Sequence, residues 1–240
     1  MRKINVRSFI PNLITLTGLC FGLSSIRFAF FEEYKASLIC ILIAGVCDAL
    51  DGLFSRILKT QSELGAELDS LADFLSFGVA PGILLYLGVL SGLEIWGYVA
   101  VTAYILFACI RLAVFNLSQS KGIQSSYRGY FMGVPTPAGA GLVLLPLIHS
   151  FLGFNWGTEH LHAAAIYTGI IGALMVSGMP TFSLKQLNLV IERRYYLRFF
   201  ILFVLIVLLI INFLWQFISV AGVLYFLSLP VSAFVYYKTK

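Results

Sequence analysis

Four aspartates stand in apolar surroundings that carboxylates normally avoid. Asp48 and Asp51 follow the apolar stretch 36–47, and Asp69 and Asp73 introduce another. A carboxylate at the centre of a bilayer costs about 2.5–3.5 kcal/mol on insertion scales, so such residues mark a task. Asp48 and Asp51 are spaced i, i+3, and Asp69 and Asp73 are spaced i, i+4, so each pair projects from one face of a helix. The connection between the pairs is short, which makes their helices antiparallel neighbours and brings the carboxylates together. Unscreened, they repel and each disfavours ionisation of the others. One divalent cation, or two, removes that repulsion. All-oxygen ligation suits Mg²⁺, Mn²⁺ or Ca²⁺ and argues against zinc. Spacing alone leaves three readings: metal-assisted chemistry, a proton or cation path in a transporter, or structural pairing with Arg56 and Lys59. Two glycines favour the first. Gly52 follows Asp51 and Gly65 precedes Asp69, and glycine lets a ligand approach the backbone. Arg56, one turn beyond Gly52, offers a planar fork for phosphate.

These acids need apolar elements to hold them, and the composition supplies them. The 240 residues are 60% hydrophobic and 11% charged, with a mean hydropathy of +0.93. A soluble domain carries about 25% charged residues, so a soluble fold and a disordered chain are both excluded. Apolar runs at 8–31, 36–58, 72–90, 95–116, 137–154, 161–179, 197–216 and 217–237 predict about eight membrane-spanning helices. The fifth is interrupted by Pro146 and His149, and a hairpin near Trp215–Gln216 is expected to part the last two. Asp48 falls roughly 18 Å along its helix, which puts the acids in one half of the bilayer.

Of the 16 Lys and Arg residues, only Arg27 and Lys35 fall on one side of this arrangement. The positive-inside rule then makes both termini, and the acid-bearing side, cytoplasmic. The net charge of +5 is thereby accounted for without a nucleic-acid partner. Arg193, Arg194 and Arg198 read as anchors to anionic lipid, and Trp96, Trp156, Trp215, Tyr236 and Tyr237 as interfacial belts. Cys20, Cys40, Cys47 and Cys109 lack metal or redox spacing and read as small apolar core residues. No cleavable leader is evident. Thr60-Gln-Ser-Glu63 is a capping-box pattern at the start of the third helix. Gly18 and Gly22 predict close helix contact within the subunit.

The stretch from Asp48 to Asp73 reads D-A-L-D-G-L-F-S-R, eight residues, then G-A-E-L-D-S-L-A-D. It resembles the signature D-x2-D-G-x2-A-R-x8-G-x3-D-x3-D of the CDP-alcohol phosphotransferases. Every spacing agrees, and Ser55 is the one departure. The resemblance implies an all-α, polytopic integral membrane protein with a six-helix catalytic core (residues 1–185), two added C-terminal helices (186–240), and a homodimer. It further implies a site for two divalent ions, Mg²⁺ or Mn²⁺, held by Asp48, Asp51 and Asp69. Asp73 would complete that site and act as general base. Gly52, Ser55, Arg56 and Gly65 would line the CDP pocket. Asn12 and Thr15, in a P-N-x-x-T opening, would meet the diphosphate.

R-L-A-V-F-N at 111–116, F-M-G-V-P-T-P at 131–137 and the stretch 175–185 resemble the serine-using branch, with Val114 where that branch has a second Arg. Expected substrates are therefore CDP-diacylglycerol and L-serine, with CMP leaving. Arg111, Asn116, Arg128 and Lys185 are the candidates for binding serine. Acceptors such as glycerol 3-phosphate or inositol phosphate define sibling activities, and a cation-coupled transporter is the rival from another class. The expected location is the inner membrane if the source is bacterial. His149, His160 and His162 fall towards the outer side, and no H-x-K pair exists, so a covalent phospholipase D-type route is not expected.

Overall fold

A computed structural model describes residues 6–58, 62–120, 130–182, 202, 204–205 and 208–239. The first two apolar runs form α1 (Val6–Phe30) and α2 (Tyr34–Leu58), an antiparallel pair closed by a short turn. The third run forms α3 (Glu63–Asp73), a π-helical segment (Phe74–Val79) and α4 (Ala80–Gly88) without interruption. After a 3₁₀ turn (Leu90–Leu93) comes α5 (Ile95–Ser120). Phe9–Phe30, Tyr34–Leu58, Leu64–Gly88, Ile95–Ser118 and Leu214–Tyr236 are each long and apolar enough to cross a membrane. The chain is thus a helical integral membrane protein, as its composition predicts.

The weaker fifth run is broken, and its prolines explain the break. It forms α6 (Thr136–Val143) and α7 (Leu145–Phe151), with Pro137 and Pro146 each at the start of its short helix, where no backbone N–H is needed. α8 (Trp156–Glu159) and α9 (Leu161–Val176) follow. Helical bonding runs through Phe213, which donates to Leu209 O and accepts from Phe217 N, each at 2.9 Å. The last helix, α10, spans Leu214–Thr239, and the hairpin expected near Trp215–Gln216 is not seen among the described residues, because i→i−4 bonds carry the backbone from Leu209 to Phe217. Most of run 197–216 lies outside the described residues.

One element has no precursor in the apolar pattern. β1 (Tyr130–Met132) and β2 (Pro180–Phe182) pair antiparallel, with Phe131 opposite Thr181. This ribbon bridges the entry to α6 and the exit from α9. The buried core centres on α4–α7 and α9, through Leu84, Leu85, Tyr104, Leu147, Ile171 and Met175. Leu13, Val46, Leu106, Leu224 and Phe234 are exposed, as side chains facing lipid should be.

Two expectations need correcting. All four cysteines are free, but only Cys40 and Cys47 are buried; Cys20 and Cys109 lie on the exposed face, where an apolar thiol meets no penalty from lipid. The third helix is capped by Ser62, whose Oγ accepts from Gly65 N at 3.0 Å. The cap falls two residues later than the Thr60 pattern because the helix itself starts at Glu63.

Candidate active site

α1 reaches α2 and the π segment closely because it presents glycine where they touch. A Cβ on Gly18 would stand 3.1 Å from Cys47 Cβ, and one on Gly22 would stand 2.5 Å from Ser76 Oγ. The G-x-x-x-G pair therefore serves packing inside the subunit. With α1 seated there, Thr15 Oγ1 donates to Asp51 Oδ2 at 2.6 Å and also lies 3.1 Å from Pro11 O. Asp51 is 5% exposed. Such a bond to a buried carboxylate fixes its rotamer and removes one unmet acceptor.

Asp48, Asp51 and Asp69 each offer an oxygen within 4.8 Å of the others. Asp73 lines the same cleft, which is also bounded by Thr15, Gly18, Ala44, Ala72, Ser76 and Phe77. α2 and α3 thus bring together the acids that the spacing predicts. Convergent carboxylates with no cation paired to them among the described residues fit a divalent ion with oxygen preference. Asp73 lies one turn beyond Asp69, at the junction with the π segment. There the fully buried Tyr104 donates its hydroxyl to Phe77 O at 2.7 Å. Pro81, four residues beyond Phe77, has no N–H to give that carbonyl, and Tyr104 supplies a donor in its place.

The residues around the cleft sort by position. A Cβ on Gly65 would be 3.0 Å from Asn12 Oδ1, so Asn12 and Gly65 meet at the mouth beside Thr15. Gly52 O accepts from Arg56 Nε at 2.7 Å and from Ser55 Oγ at 3.2 Å. The Arg56 backbone contact uses Nε and leaves the terminal guanidinium nitrogens for a ligand. Asn116 Nδ2 donates to Ser70 Oγ at 2.8 Å, one residue from Asp69, so Asn116 joins α5 to α3 and does not cap its helix. Arg111 does not line the acid cleft. Its Nε donates to Val134 O at 3.3 Å, and its guanidinium lies 5.7 Å from the Phe115 ring centre. Arg128 and Lys185 lie outside the described residues.

At the opposite end of the molecule, Trp156 Nε1 donates to His149 Nδ1 at 2.7 Å, and His149 Nε2 meets Ser219 Oγ at 2.9 Å. The indole only donates, so Nδ1 must accept and Nε2 carries the proton. His149 therefore cannot take a proton from Ser219, and this trio is a tie between α7, α8 and α10. Sequence reasoning missed the contributions of Tyr104 and Ser70, which depend on how α5 is seated.

A family model for CDP-alcohol phosphatidyltransferase matches residues 8–175. A CDP-diacylglycerol–serine O-phosphatidyltransferase of Mycobacterium tuberculosis is 38% identical over 181 residues, covering 75% of this chain and 62% of the relative. The chain thus spans less than two thirds of that relative's length. Proteins of the same name from Helicobacter pylori and Methanocaldococcus jannaschii are 36% and 35% identical, covering 78% and 70% of this chain and 78% and 71% of their own lengths.

Proposed function

This chain belongs to the CDP-alcohol phosphatidyltransferase family, and on that premise we propose that it transfers a phosphatidyl group from CDP-diacylglycerol to L-serine. The observation that carries the reading is the cluster of Asp48, Asp51 and Asp69 beside Asp73 in one cleft of a membrane-embedded helical core. CDP-diacylglycerol presents a diphosphate at headgroup level while its tails remain in the bilayer, and a cleft near one end of apolar helices meets both demands. Relatives bearing the serine transferase name support the choice of acceptor.

Asp48, Asp51 and Asp69 would hold Mg²⁺ or Mn²⁺, with Asp73 completing the set. A divalent ion held there would supply positive charge to neutralise the diphosphate and the charge that develops on the leaving CMP. Asn12, Thr15, Gly52, Ser55, Arg56 and Gly65 form the nucleotide side. Asp73 accepts the proton from the serine hydroxyl as its oxygen bonds to the lipid-linked phosphorus and the bond to the CMP phosphate breaks. Arg111 and Asn116 stand on the acceptor side, with Arg128 and Lys185 as further candidates. Residues 1–185 form the catalytic core and 186–240 the added helices of a homodimer whose site faces the cytoplasm.

The test is CMP release by the detergent-solubilised chain with CDP-diacylglycerol and Mn²⁺ or Mg²⁺. Release that requires L-serine and stops with EDTA is expected. Release with glycerol 3-phosphate or inositol phosphate instead moves the chain to a sibling activity. No release with any alcohol overturns the transferase reading.

A further inference from the structure

Arg111 is a cation inside a membrane-spanning helix with too few partners. It is half-buried in α5, and among the described residues it forms no ion pair. Its one hydrogen bond there, to Val134 O, is long and uses Nε, which leaves both terminal nitrogens of the fork unengaged. A cation kept at such depth calls for an anion.

Its surroundings come from the far end of the chain. Thr181 of β2 donates to Gly133 O at 3.2 Å, while Arg111 holds the next carbonyl, that of Val134. Tyr225 of α10 packs against the same core, beside Thr181 and within electrostatic range of Arg111. The floor between them is rigid: Gly133 has φ +76°, and a Cβ there would stand 2.5 Å from Met175 O. α10 is also fixed on both sides of Tyr225. Ser219 meets His149 at 2.9 Å towards one end, and Ser232 Oγ donates to Pro180 O at 2.7 Å towards the other.

The depth suits the reaction. From the Asn116–Ser70 bond, Arg111 lies five residues along α5 and Asp73 three residues along antiparallel α3, about 7.5 Å and 4.5 Å in the same direction. The two therefore sit within one helical turn of each other in depth.

We propose that Tyr225 of the C-terminal helix and Arg111 together bind the carboxylate of the acceptor, above the Gly133–Val134 turn. This rests on the serine reading above and deepens it. The guanidinium fork matches a carboxylate in two-point contact, and the phenol adds a third donor. Among the described residues no second cation joins Arg111, which suits a carboxylate better than a doubly charged phosphate. Tyr225 and Thr181 both lie beyond the region matched by the family model, residues 8–175. Acceptor choice thus depends on a helix outside that region.

The experiment measures CMP release by the full chain in detergent, with CDP-diacylglycerol and Mn²⁺, varying L-serine or ethanolamine, which lacks the carboxylate. Y225F should raise the KM for L-serine by about tenfold, the effect of losing one bond to a charged group, and leave that for CDP-diacylglycerol within about twofold. Its preference for serine over ethanolamine should shrink by the same factor. F234A, at a 70% exposed position on the same helix, should leave the serine KM unchanged. If Y225F does not fold, R111K reports on the same pocket by the same two KM values. A serine KM unaltered in both Y225F and R111K, or raised equally by F234A, overturns the site. Wild-type protein that uses a phosphorylated acceptor and not L-serine overturns the serine reading, and this site with it.

Discussion

Asp73 differs from its three neighbours in position. Asp48, Asp51 and Asp69 are close enough to share an ion, whereas Asp73 lines the same cleft one turn further on. D73N should therefore lower turnover by about 10²–10⁴-fold, the usual range for a lost general base, while CDP-diacylglycerol still binds. Near-wild-type turnover would remove the base assignment. Thr15 acts on the cluster at one remove, through its 2.6 Å bond to Asp51. T15V should raise the Mn²⁺ concentration for half-maximal CMP release by about 10–100-fold, as loss of a ligand's hydrogen-bond partner does. An unchanged metal requirement would make that bond purely structural. The acids were legible in the sequence because charge is conspicuous against 60% apolar residues. The Thr15–Asp51 bond was not derivable from spacing, since the residues are 36 positions apart and only the seating of α1 joins them. Resemblance had placed Thr15 with the diphosphate; its observed partner is a carboxylate.

The apolar runs located the helices, because hydropathy and length reflect the same bilayer thickness. What they could not show was irregularity inside a run. The π segment Phe74–Val79 replaces an ordinary turn directly after Asp73, and its sequence F-L-S-F-G-V looks like any other apolar stretch. The ribbon of β1 and β2 was equally hidden, being three residues long on each side. Pro146, by contrast, marked run five as interrupted. Tyr104 ties the π segment to α5 with a 2.7 Å bond at a fully buried site. Y104F should destabilise the protein by about 1–3 kcal/mol by leaving the Phe77 carbonyl short of a donor. A melting temperature equal to wild type would mean that the carbonyl finds another donor.

At the scale of the whole molecule, the charge asymmetry predicts an orientation with both termini cytoplasmic, since only Arg27 and Lys35 oppose the other basic residues. The course of α10 agrees with it: its start lies beside His149 and its later part beside the ribbon. A fluorescent protein that folds only in the cytoplasm should therefore glow when fused after Lys240, and a dark fusion of normal abundance would reverse the assignment. The Thr15–Asp51 bond has a further consequence at this scale. α1 holds Asp51 of α2, whose cluster partner Asp69 belongs to α3, so an ion gathered there would rivet three separate helices. Binding and folding are then thermodynamically linked, and a ligand at a hundred times its dissociation constant adds about 2.7 kcal/mol. The melting temperature in micelles should rise with Mn²⁺ and fall with EDTA before any substrate is added, and a flat response would take the ion out of the cluster. On this account the protein's resistance to heat is a gauge of the free ion around it.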